Sequence, residues 1–329
     1  MLAELSPFAD AFSKRPTFTA LGSKSTKKRF NQGGTGFFHA FYLWVAVRWL
    51  KPLHIVESGA FNGMGTYMLR QAAPTAQIIV VTPQTPKLYR DHHADSVYFS
   101  GKGFQDFSSI NWDCLGLDKA RTLLFIDDHQ SGYRRMLEAH RRGFTHMLFD
   151  DNYPAGDNYS PYRACEETRR RKKLDGTVGY MDFWRRDPVA YLDGASLAKI
   201  GDSFARLTET YYEFPLVWKG PSRLMSLQGF HNVTSPPLLT GKAAAAFRAR
   251  YSSVIRSAEE ESRQYTFLPY VRLRSTLVAP PDSLFWPIPN GSDVLPPRTQ
   301  SCSPGTSSST SKKPTGIAAA WKRLTALVG

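Results

Sequence analysis

The chain has 329 residues, 42% of them hydrophobic and 13% aromatic. That is enough apolar side chain for a sizeable core and too much for a fibrous, coiled-coil or wholly disordered protein. Lys and Arg outnumber Asp and Glu by 42 to 28, a net charge of +14, but half of the excess sits in the flanks, +4 in residues 1–33 and +3 in residues 276–329. The part between is only mildly basic and has no aromatic-interleaved basic motif, which argues against nucleic acid as a partner. Three widely spaced cysteines argue against a disulfide framework or a Cys-x-x-Cys zinc site. No apolar run reaches the length of a membrane span and no secretory segment opens the chain, which points to the cytoplasm.

In chain order, residues 1–33 are rich in Ser, Thr and Lys and read as a flexible basic arm. Gly34 to Leu50 is an apolar and aromatic run of helical length. Leu53 to Glu57 is too short for a helix and reads as a strand, followed by a helix from Gly63 to Ala73 that Pro74 ends. The β-branched run Gln77 to Thr82 predicts a strand, as do Val97 to Phe99, Thr122 to Ile126 and His146 to Phe149. Ser131 to Arg142 is helical, with Tyr133, Met136, Leu137 and His140 on one face and Gly143 as the stop. Further on, helices are expected over Ala195 to Thr208 and Gly241 to Glu261, and strands over Tyr212 to Trp218 and Tyr265 to Leu273. Strands alternating with helices predict an α/β, doubly wound, Rossmann-like sheet, mostly parallel, of about seven strands, with helices on both faces and the last two strands antiparallel. The domain spans residues 34–275, and the Pro/Ser-rich residues 276–329 read as a disordered tail.

The segment His54 to Thr66 reads HIVESGAFNGMGT. A strand ends at Glu57, Gly59, Gly63 and Gly65 follow, and a helix begins. Glycine supplies the positive φ and the space for close approach that a sharp strand-to-helix turn requires, and the helix start offers N–H groups to an anion. The pattern E-x-G-x-x-x-G-x-G-T resembles motif I of the class I S-adenosylmethionine-dependent methyltransferases. The resemblance implies that Glu57, Gly59, Gly63, Gly65 and Thr66 hold the cofactor S-adenosylmethionine. That family carries an acid for the ribose at the end of the second strand. Here the strand ends Val81-Thr82-Pro83-Gln84, so Thr82 is the candidate, with Asp91 or Asp95 able to fold back. Asp106, after the third strand, stands where the family contacts adenine.

Two further strands end in acids: Asp127-Asp128-His129 after one and Asp150-Asp151 after the next. Carboxyl ends of neighbouring strands lie about 5 Å apart, so four carboxylates and a histidine converge at one edge beside the glycine turn. Such a cluster is unfavourable without a neutralising cation, and an all-oxygen donor set suits Mg²⁺ or another divalent ion. The pattern resembles the metal-dependent cephalosporin-hydroxylase-like and macrolide-sugar O-methyltransferases, over roughly Gly33 to Ser160. The resemblance implies metal ligands at Asp127 or Asp128 with Asp150 and Asp151, and His129 as general base. The expected function is metal-assisted O-methylation of a small-molecule hydroxyl, with a sugar or glycosylated metabolite as acceptor. The alternatives are a methyltransferase-like scaffold without catalysis, which the missing acid beside Thr82 and the long tails suit, and, less well supported by charge, a nucleic-acid methyltransferase.

Overall fold

The computed structural model describes residues 1–16, 35–130, 132–150, 203–218, 236–252 and 268–275, together with the backbone of 178–181 and 188–192. Nine strands form two sheets. The first has seven strands in the order β3-β2-β1-β4-β5-β9-β8: β1 His54–Ser58, β2 Gln77–Thr82, β3 Val97–Ser100, β4 Thr122–Ile126, β5 His146–Phe149, β8 Thr208–Glu213 and β9 Pro269–Leu273. β1 to β5 are parallel, whereas β9 runs antiparallel to both β5 and β8. The doubly wound, mostly parallel sheet is as the sequence predicts. β6 (Val178–Met181) and β7 (Pro188–Leu192) form a separate antiparallel hairpin that the sequence reading did not foresee.

Residues alternate between two cores, as the two-residue period of a strand requires. Ile55, Ile78, Val80, Leu123, Phe125 and Leu148 face one layer, which contains α2 (Phe37–Leu50) and α3 (Met64–Ala72). Val56, Ile79, Val81, Leu124, Ile126, Met147 and Phe149 face the other, which contains α4 (Gly132–Arg141). Twelve of the fourteen residues of α2 are buried, so this helix lies inside the molecule, as an all-round apolar helix must. α5 (Gly241–Arg250) adds Ala244 to the same layer. Among the described residues no helix is long and apolar enough to cross a membrane.

The N-terminus departs from expectation. Leu2–Ser13 is a helix, α1, rather than part of a loose arm. Leu5, Phe8, Ala9 and Phe12 recur at helical spacing and are buried. Phe8 meets Phe37, Phe41 and Trp44 of α2 with ring centroids 5.0 to 6.1 Å apart, and Trp44 Nε1 donates to Glu4 (2.9 Å). Removing a fully buried phenylalanine costs about 3–5 kcal/mol. Phe8→Ala is therefore expected to lower the denaturant midpoint sharply. A loss below about 1 kcal/mol would mean that α1 is not part of the core.

Other boundaries shift for local reasons. The strand expected at Tyr212 to Trp218 runs instead from Thr208 to Glu213, because Thr208, Thr210, Tyr211 and Tyr212 pair with β9, with an irregularity between Thr208 and Thr210. Residues 203–207 are helical, and residues 195–202 and 253–267 lie outside the described residues. Cys114 is disulfide-bonded.

Candidate active site at the carboxyl edge of the sheet

In an open parallel sheet the ligand crevice lies where the strand order reverses, outside the carboxyl ends of the strands. Here the reversal falls between β1 and β4, which pair directly, Ser58 opposite Ile126. The glycine turn leaves β1 at that point. Gly59 and Gly63 have φ of 95° and 94°, conformations that favour glycine. The close approaches at these glycines are to the protein itself. A Cβ on Gly59 would run into the backbone of Asp127, one on Gly63 into the backbone of Tyr89, and one on Gly65 into the Glu57 carboxylate.

Glu57 lies under the first turn of α3 rather than on the outer side of the loop. It is 1% exposed, and Thr66 Oγ1 donates to its Oε2. Burial pushes its pKa up to about 8, with the nearby Asp150 carboxylate adding to the rise against the Thr66 bond. Oε1 is buried without a hydrogen-bond partner among the described residues. Burial thus favours the protonated form of Glu57. Its folded-state pKa exceeds the unfolded one, so the folded state holds the extra proton and stability falls as pH rises from the ordinary carboxylate range toward 8. Glu57→Gln should flatten that fall, a difference on the order of a few kcal/mol at pH 8. Chemical melts of both proteins at pH 5 and pH 8 measure it; parallel pH profiles would contradict it.

Thr82, buried at the end of β2, is followed by exposed Pro83 and Gln84. Neither acid proposed to fold back toward it does so. Asp91 accepts two hydrogen bonds from Arg70 (3.0 and 2.7 Å) and one from Ser96, and Asp95 is exposed. Asp106 is likewise engaged. It takes both Arg135 Nη atoms (3.0 and 2.7 Å) and the Ser108 amide and hydroxyl (2.9 and 2.6 Å). Against the opposing effect of burial, these bonds hold its carboxyl well below the usual range.

One acid of this edge, Asp128, is paired with a cation of the protein itself. Arg135 of α4, 2% exposed, also donates from Nε to Asp128 (2.8 Å) and from Nη1 to Glu138 (2.7 Å). Asp128 accepts from Ser58 Oγ as well (2.6 Å) and from the Gln130 amide (3.1 Å). One guanidinium thus ties the exits of β3 and β4 to α4, with β1 joined through Ser58. Asp128 is therefore held in an ion pair with Arg135.

Asp127, half-buried, and Asp150, buried, do come together at neighbouring strand ends, where the Asp150 amide donates to Ile126 O (2.9 Å). Burial raises the Asp150 pKa. Asp151 lies outside the described residues. Among those described, no three His, Cys, Asp or Glu side chains form a metal site. The described donor set does not fit the expected Mg²⁺. His129 stands immediately after the anchored Asp128, half-buried, with φ of 56°.

S-adenosylmethionine fits better. α3 begins without a side-chain cap; within its first turn the Thr66 amide is committed to the Glu57 carboxylate, and the buried Glu57 Oε1 still lacks a partner among the described residues. The seven-strand order with its antiparallel β9 is that of a doubly wound, Rossmann-like α/β sheet. No family model matches the chain and no curated protein matches it. Among solved structures it is similar to the Podospora anserina methyltransferase PaMTH1 bound to S-adenosylhomocysteine (SAH), at 10% identity over 82% of this chain and 87% of that one, TM-score 0.35. It is also similar to the SAH-bound N-terminal domain of EvdMO1 (14% identity, 65% and 90% covered, TM-score 0.37). A third is the Bacillus cereus O-methyltransferase in complex with SAH (13% identity, 46% and 65% covered, TM-score 0.24). Identities and TM-scores this low carry no argument about activity.

Proposed function

We propose that the chain is an S-adenosylmethionine-dependent O-methyltransferase acting on a hydroxyl of a small molecule, with a sugar or glycosylated metabolite as the acceptor class. The observation that carries this reading is the positive-φ glycine turn at the β1–β4 reversal point, with a histidine at the adjoining strand exit. When bound, the cofactor supplies an electrophilic methyl group on a sulfonium sulfur. The turn from Gly59 to Gly65 and the amides opening α3 bind its amino-acid end, and Glu57 braces that turn from beneath through Thr66. His129 would receive the acceptor's hydroxyl proton at a ring nitrogen, the ordinary task of a histidine near neutral pH. The clamp of Ser58 and Arg135 on Asp128 fixes the backbone from which His129 projects, and alignment of the reacting atoms supplies much of the rate.

The test is methyl transfer from labelled S-adenosylmethionine to a panel of monosaccharides and glycosides. His129→Ala should lower kcat about 100-fold or more with SAH affinity unchanged. Full activity in that variant would remove His129 as the base. One observation favours the scaffold alternative: β2 ends in Thr82-Pro83-Gln84, with no carboxylate for the ribose, and Asp91 is committed to Arg70. Failure to bind SAH would select that alternative.

A further inference from the structure

Two large aromatic rings stand exposed on loops that leave the carboxyl edge of the sheet. Phe61, in the glycine turn after β1, is 55% exposed, and Phe104, beyond β3, is 36% exposed. Phe61 also has φ of 42°, a conformation that bulky side chains rarely adopt. Its neighbours impose that conformation. The Gly59 amide donates to Val81 O (2.8 Å), the Gly63 amide to Ala60 O (2.6 Å) and the Tyr89 amide to Asn62 O (3.1 Å). The turn is pinned on both sides, and the ring at its tip is lifted into solvent. Neither the strain nor the exposure is offset by burial within the chain, and strain of this kind gathers where ligands bind.

The strand order places these loops on either side of β2, with the exits of β1 and β3 roughly 10 Å apart. The exit of β2 between them is where a ribose-binding carboxylate is missing. The β2 loop touches both flanks: the Gly101 amide donates to Pro83 O (3.2 Å), and Tyr89 meets Asn62. We propose that Phe61 and Phe104 hold the nucleoside end of the cofactor by stacking against its base, in place of the carboxylate that β2 lacks. The inference rests on the S-adenosylmethionine reading above. Stacking needs no hydrogen bond to the ribose and is available to any base through its π-face.

The experiment is calorimetric titration of the full chain with SAH and, separately, with adenosine. The proteins are the wild type, Phe61→Gly, Phe104→Ala and, as a control, Leu53→Ala, an exposed apolar residue at the opposite end of β1. Phe61→Gly and Phe104→Ala should each weaken both ligands about tenfold or more, while Leu53→Ala stays within about twofold. Phe61→Gly should also keep or raise the melting temperature, because glycine accepts the positive φ, so its loss of binding cannot be ascribed to unfolding. Wild-type affinity for adenosine in either phenylalanine variant overturns the inference and leaves the cofactor reading standing. A wild type that binds neither SAH nor adenosine overturns both.

Discussion

Arg135→Ala is expected to cost about 3–5 kcal/mol of stability. The guanidinium is buried and bonded to Asp106, Asp128 and Glu138. Its removal leaves three carboxylates facing one another, with Arg134 still bonded to Glu138 (2.8 Å). Arg135→Lys should recover only part of the loss, since an ammonium cannot reproduce the two-pronged contact with Asp106. The pH dependence has a defined sign. The folded-state pKa of Asp106 lies below its unfolded value. The stability it contributes is therefore full above the ordinary carboxylate range and is lost as pH falls below it. Arg135→Ala should flatten that acid limb. Denaturant melts of the three proteins across pH 3–7 measure both effects, and a cost below about 1 kcal/mol for Arg135→Ala would show that the guanidinium does not hold the edge together.

Gly59→Ala is expected to cost about 3 kcal/mol and to abolish SAH binding. Two separate effects add: a φ of 95° that alanine resists, and a Cβ that would overlap the backbone of Asp127. Gly116 separates them. It too has a positive φ, 64°, but a Cβ there meets nothing, so Gly116→Ala should cost only about 1 kcal/mol. Equal losses at the two positions would mean that the contact between the β1 turn and the β4 exit contributes nothing.

The parallel half of the sheet was legible in the sequence because β1, β2, β4 and β5 are buried on both faces and read as short apolar runs. The spacing of the glycines likewise announced a positive-φ turn. What the sequence could not give was the object each glycine approaches, which is backbone or a side chain distant in the chain rather than a ligand. α1 was missed because the apolar residues Leu5, Phe8, Ala9 and Phe12 were averaged with the Ser/Thr/Lys-rich residues that follow them, and Pro7 lies inside the helix. The cation was missed for a related reason. An arginine on an amphipathic helix is ordinarily solvated, and only the fold brings Arg135 under Asp106 and Asp128. The available signal was Arg135 three residues before Glu138 on the helix that follows an Asp-Asp pair. Among the strand-end acids, Asp128 is paired with this side chain.

The central claim is that the β1–β4 reversal point binds S-adenosylmethionine. Calorimetric titration of the purified full chain with S-adenosylmethionine and with SAH tests it most directly. The account predicts one site per chain with micromolar affinity for both, lost in Gly59→Ala and unchanged in His129→Ala. Absence of binding by the folded wild-type protein would contradict it and leave a methyltransferase fold put to another use.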